Sequence, residues 1–333
     1  MRFGSQLLFG AVISVTVISV GLVLLTQLRK QTSSTVPEIV ESPKPTPDVE
    51  PKPLTQRLPV RLLFGGDLMF DRNIRLRMQE FGVSHPLAQL TTIFAQYDAV
   101  IANLEGPVTN SPSRSVGSVP GSTNNFFFTF QPEIVPMLRQ NSLTILNLGN
   151  NHITNFGTAG VTDTKKYLGD GGITFFGNTG QEKTSEERIA LRSFGEHIIG
   201  FVNLNQFTGG GFETAIADTQ FAASRADIVI VMPHWGEEYT AEPNEVIRQQ
   251  AHALVDAGAD AVIGAHPHVT QPWEEYQGKR IYYSLGNFVF DQYFSPEVQR
   301  GLLVGMDIFP DQSVEFTEVP IQLEKNGQTV LPQ

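Results

Sequence analysis

From Val60 onward, short aliphatic runs alternate with segments of mixed polarity. The runs at 60–64, 99–103, 143–148, 198–203, 228–232, 261–263, 281–284 and 302–308 predict strands. Several are continuously apolar rather than alternating, the pattern of strands covered on both faces. Helical spacing lies between them. It is clearest at 244–257, where Ile247, Ala251, Leu254 and Val255 share one face, Pro243 stands near the start and Gly258 follows the end. Strands and helices in alternation, with polar residues closing each strand, predict an α/β domain whose site lies at the strand ends.

The first sixty residues follow other rules. Residues 7–26 carry no charge and lie between Arg2 and the pair Arg29, Lys30. A run of about 20 apolar residues is long enough to span a bilayer as one helix. It exceeds the apolar core of a cleaved signal peptide, and no A-x-A cleavage site follows. Residues 1–30 are therefore expected to be a single N-terminal transmembrane anchor. The basic flanks nearly balance and do not orient it. Residues 31–58 are rich in Pro, Ser, Thr and charge and poor in large apolar groups, which predicts a disordered, semi-rigid linker. The globular domain is expected over 59–325.

Composition narrows the chemistry. The 333-residue chain has a net charge of −11, which argues against a general nucleic-acid binder. It has no cysteine, so disulfides, thiolate ligands and thiol nucleophiles are excluded. Any metal must be held by His, Asp, Glu and Asn, a donor set suited to Mn, Fe or Zn.

Such donors recur where apolar runs end. The stretches are FGGD closing on Asp67, NLEGP with Glu105, LGNNH with Asn151 and His152, HWGEE with His234 and Glu238, and GAHPH with His266 and His268. A sixth, YSLGNF, carries Asn287. Each alone is weak, since a Gly-Asp is usually a turn and a single His usually a hydrogen-bonded structural residue. Together, at successive strand ends, they mix carboxylate oxygen, amide oxygen and imidazole nitrogen as one or two divalent ions require.

These blocks, in this order over about residues 60–310, resemble the CapA (poly-γ-glutamate capsule synthesis) family, itself similar to calcineurin-like metallophosphoesterases. The resemblance implies a four-layer α/β/β/α sandwich. It implies one ion on Glu105, Asn151, His234 and His266, and another on Asp67, Glu105 as a bridge, and His268. His152 would be the catalytic general acid, with Arg72, Glu238 and Asn287 as supporting or substrate-side residues. Two departures from the phosphoesterase pattern stand out: Met69 replaces a His two residues after Asp67, and the bridging group is Glu rather than Asp. Within the CapA-like pattern, Asn155 stands where an Asp is common.

Two functions follow as expectations. One is a metal-dependent hydrolase of phosphoesterase type, acting in capsule or poly-γ-glutamate synthesis or export. The other is a non-catalytic, metal-assisted binding or assembly factor for an anionic extracellular polymer. Either sets the domain outside the cell membrane on its single-pass anchor, with an anionic polymer or phosphorylated substrate and membrane polymer-synthase components as partners.

Overall fold

The computed structural model describes residues 58–332. The expected anchor at 1–30, and the expected linker up to residue 57, lie outside the described residues. No helix among the described residues is long and apolar enough to cross a membrane.

Two sheets form the domain. The first has a parallel part made of β1 (Val60–Leu68), β2 (Ala99–Leu104), β3 (Leu143–Asn147), β4 (Thr174–Phe176) and β11 (Asn287–Val289). Strands β12 (Arg300–Ile308), β13 (Val314–Leu323) and β14 (Thr329–Val330) continue it antiparallel. These eight strands lie in the order β14-β13-β12-β1-β2-β3-β4, with β11 also on β1. Because β14 joins this sheet, ordered structure runs past residue 325.

The second sheet has a parallel centre of β6 (His197–Asn205), β7 (Ile228–His234), β8 (Ala261–Ile263) and β10 (Lys279–Tyr282). Antiparallel β5 (Ala190–Phe194) and β9 (Trp273–Tyr276) form its edges. The order of its six strands is β5-β6-β7-β8-β10-β9.

Facing side chains of the two sheets make one core: Leu62, Phe64, Ile101 and Val304 of the first meet Phe201, Ile230, Ile263 and Tyr282 of the second. Each fully buried aliphatic or Phe side chain contributes about 1.5–3 kcal/mol. The outer face of the first sheet packs on α1 (Arg72–Phe81), α3 (Ile134–Gln140) and α4 (Gly157–Asp170), with the short α2 (Thr91–Phe94) alongside. The outer face of the second packs on α6 (Gly211–Ala223) and α7 (Glu245–Asp256), while α5 (Ser185–Arg188) precedes β5. The layers are thus helix, sheet, sheet, helix.

The predicted helix at 244–257 is α7, with Asn244 as its cap: the Ile247 amide donates to Asn244 Oδ1 at 3.0 Å. Its four predicted apolar residues are the buried ones. Strand ends differ from the sequence expectation. β1 and β7 run on through their polar residues, so Asp67 and His234 lie inside strands rather than in the loops after them. The run expected at 281–284 ends instead at Tyr282, because the chain there turns toward β11.

That turn brings two backbones unusually close. The Asp67 amide donates to Gly286 O at 3.1 Å, and a Cβ on Gly66 would lie 1.8 Å from the same oxygen. Only glycine fits at 66. The close approach sets Asn287 beside Asp67 across the β1–β11 pair.

Candidate metal centre

The parallel strands of each sheet end at a common rim. In the first sheet Asp67 pairs across to Asn103, and Asn103 to Asn147. Glu105 follows β2 directly, and Asn151 lies four residues past the end of β3. In the second sheet His234 closes β7, and His266 and His268 follow β8. Both of those histidines have left-handed backbones, φ 100° and 59°, on either side of Pro267. Non-glycine residues held there cost of order 1–3 kcal/mol each, and such strain clusters at functional sites.

The side chains converge. Glu105, His234 and His266 place one donor atom each within 4.8 Å of one another, and so do Asp67, Glu105 and His268. Glu105 belongs to both groups. Asn151 Oδ1 lies 2.9 Å from His234 Nε2, and that nitrogen lies 3.2 Å from His266 Nδ1. A third group joins His266 and His268 to the exposed Glu238.

Glu105 is the unusual member. It is fully buried, and neither carboxylate oxygen has a hydrogen-bond partner among the described residues. Its Oε1 faces three imidazole nitrogens: His268 Nε2 at 3.6 Å, His234 Nε2 at 3.9 Å and His152 Nε2 at 3.9 Å. The His268 and His234 gaps exceed a hydrogen bond and suit an intervening cation with bonds of about 2 Å. An unpaired buried carboxylate is otherwise costly, so the residues present fit a divalent ion.

Electrostatics agree. Burial, reinforced by the charges of Asp67 and Glu238, pushes the Glu105 carboxyl well above its ordinary range. Burial would also raise Asp67, but the hydrogen bond and charge of His268 hold it well below the usual carboxylate range. Burial, helped by His266, drives His234 well down, and burial brings His266 to about 3. These imidazoles are neutral near pH 7, the form that offers a lone pair to a metal.

The sequence model of the family described as bacterial capsule synthesis protein PGA_cap matches residues 61–292. The chain belongs to this family. It is 30% identical over 276 residues to the PGA biosynthesis protein CapA of Bacillus subtilis (strain 168), covering 79% of this chain and 71% of that protein. It is 28% identical over 279 residues to the capsule biosynthesis protein CapA of Bacillus anthracis, covering 79% and 67%. Among solved structures, TT1561 of Thermus thermophilus is similar with a TM-score of 0.41 and 10% identity, over 78% of this chain and 98% of that one. The fold described above rests on the sheets themselves.

Around this donor cluster stand residues whose part was not legible in the sequence. Asn103 Nδ2 donates to Asp67 Oδ1 at 2.7 Å and lies 3.2 Å from His234 Nδ1. Asn150 Nδ2 donates to Asn103 Oδ1 and to Leu104 O, while its own Oδ1 accepts the His152 and Ile153 amides. These buried asparagines stitch β2 to the loop after β3. The only trace in sequence is their place inside NLE and GNNH. Phe207, half exposed, lays its ring 4.6 Å from that of His266.

The remaining expected residues are also near the rim. Asn287 Oδ1 lies 3.0 Å from His268 Nδ1, and its amide donates to His268 O, Gln292 Oε1 and Val298 O. Its contacts position His268. Arg72 is paired with Asp291 and lies over the rings of Phe128 and Phe290, yet its buried Nε has no acceptor among the described residues. Met69 is buried, and its sulfur accepts the Asp71 amide.

The His152 ring lies 4.4 Å from that of Phe128 at a tilt of 36°, and burial lowers its pKa to about 4. Its Nδ1 lies 3.2 Å from Asn155 Oδ1, an oxygen that also accepts the Phe128 amide at 2.8 Å. Since that backbone donor fixes the oxygen as acceptor, Nδ1 carries the proton. In the neutral ring Nε2, facing Glu105, is therefore the lone-pair nitrogen.

Proposed function

We propose that this chain is a metal-dependent hydrolase of phosphoesterase type that serves capsule or poly-γ-glutamate synthesis or export. The observation that carries the reading is Glu105, a buried carboxylate without a hydrogen-bond partner and shared between two groups of metal donors. Family membership and the names of the CapA relatives support the biological setting.

In this reading Glu105, Asn151, His234 and His266 would hold one divalent ion of the Mn, Fe or Zn type, and Asp67, Glu105 and His268 would hold a second. Such ions supply Lewis acidity and lower the pKa of bound water. The protein's own residues do the rest. Asn103 holds Asp67, Asn287 holds His268, and Phe207 covers His266 from solvent. His152 is the proposed proton-transfer group. It would take a proton at Nε2 from the attacking water and pass it from that atom to the leaving oxygen, while Asn155 keeps Nδ1 protonated throughout.

The domain is proposed to act outside the membrane on the anchor at 1–30, at the end of the spacer at 31–58, beside membrane polymer-synthase components. The motive is the uncharged run at 7–26 followed by a polar, Pro-rich stretch. Protease added to intact, wall-stripped cells is expected to release the domain, and full protection contradicts this orientation.

A second reading has its own support. Met69 stands in place of a metal-binding His and weakens the second ion, and a 32% identical relative from Mycobacterium tuberculosis is named a probable polyglutamine synthesis accessory protein. A non-catalytic factor would use the same ions to hold an anionic polymer. Metal-loaded and chelator-stripped protein, assayed on chromogenic phosphomonoesters, phosphodiesters and γ-glutamyl compounds, separates the two. Metal-dependent turnover lost in His152→Ala supports the hydrolase. Metal-dependent retention of γ-glutamate polymer without turnover supports the binding factor.

A further inference from the structure

Beside the metal centre runs a groove of about 480 Å³, bounded by the start of α1, the loop at 115–126, Tyr239 and the segment 291–294. It reaches the centre through two contacts. The Tyr239 ring lies 6.1 Å from that of His268, and Arg72 lies 5.2 Å from the Phe128 ring that packs on His152.

The lining has a distinct chemistry. Three aromatic side chains stand open in it: Phe294 at 66%, Phe126 at 44% and Tyr239 at 43% exposure. Between them lie uncharged hydrogen-bonding groups such as Asn73, Ser118 and Asn125. Arg72, the one cation that the described residues place in the lining, is neutralised by Asp291 beside it. Glu237 and Glu238, both exposed, immediately precede Tyr239.

A polyglutamate chain carries a carboxylate on every residue and would need cations along its path. The lining offers none to spare, and the exposed charged residues that adjoin it in sequence are the acids Glu237 and Glu238 beside Tyr239 and the single cation Arg114 beside Ser115. Open aromatic faces with amide and hydroxyl groups between them instead match a chain that is apolar on its ring faces and rich in hydroxyls at its edges.

We propose that the groove binds the saccharide portion of the substrate, so that the centre acts on a phosphoester attached to a glycan. This rests on the hydrolase reading above for the reaction, but the groove itself is tested by binding alone.

The test titrates the purified full-length protein with neutral tetrasaccharides (β-1,4-linked N-acetylglucosamine, β-1,4-linked glucose and α-1,4-linked glucose) and with a γ-linked glutamate hexamer. At least one tetrasaccharide is expected to bind, and Phe294→Ala or Phe126→Ala to weaken it about tenfold or more, with bound metal and thermal midpoint unchanged. No tetrasaccharide binding, or binding indifferent to both variants, overturns the proposal. Hexamer binding that depends on Phe294 overturns it too. Protein that takes up no metal yet binds sugar through Phe294 keeps the groove and removes the hydrolase reading. Metal uptake without sugar binding does the reverse.

Discussion

Asn155 Oδ1 lies 3.2 Å from His152 Nδ1 and is locked as an acceptor by the Phe128 backbone amide. One amide oxygen thus sets which nitrogen of the proposed proton-transfer group faces Glu105. The nearby pair Asp71–Arg75 supports it, since Asp71 Oδ2 accepts the Thr129 amide and fixes the strip that carries Phe128.

The first prediction concerns this bond. Asn155→Ala frees the ring to flip, whereas Asn155→Asp retains an acceptor at the same place. On a chromogenic phosphodiester, Asn155→Ala is expected to lose about tenfold or more in rate while Asn155→Asp stays near wild type, both with full metal content. His152→Ala is expected to lose about 10²–10⁴-fold. Equal rates for the two Asn155 variants would show that the tautomer is immaterial.

Gly66→Ala tests the close approach of β1 and β11. The added methyl meets backbone, at Gly286 O, rather than a side chain that can swing aside. A cost of about 3 kcal/mol or more is expected from overpacking that cannot relax. It should appear as a lower urea midpoint, with lower metal occupancy because Asp67 and Asn287 shift together. An unchanged midpoint would mean that the strands separate freely.

Phe201→Ala addresses the layer between the sheets. Phe201 is fully buried, with the Phe176 ring 5.8 Å away. Truncation is expected to cost about 3–5 kcal/mol, read by chemical unfolding. A loss below about 1 kcal/mol would contradict a continuous core between the two sheets.

Much of this architecture could be read along the chain. Runs such as those at 228–232 and 261–263 are buried on both faces, so their apolar character is continuous and visible. Two outlying strands were not legible for the opposite reason. β5 and β13 leave many of their residues in solvent, and their sequences look like polar loops. At the site, the donors stood out because six motifs share one format. Asn103 and Asn150 did not, because a buried asparagine is recognised by its partners across the sheet, and no spacing in the sequence records them. The groove is likewise invisible in sequence, being assembled from four segments far apart in the chain.

The most direct test of the account counts bound metal in the purified protein and its single variants after loading with Mn, Fe or Zn, with a thermal scan beside each count because metal binding and folding are linked. Glu105→Gln is expected to lower occupancy at both positions. His234→Ala and His266→Ala should remove most bound metal, His268→Ala less, and His152→Ala none. Loss of metal in His152→Ala as complete as in His266→Ala would contradict the roles assigned here. A count unchanged across Glu105, His234, His266 and His268 variants would contradict the metal centre itself.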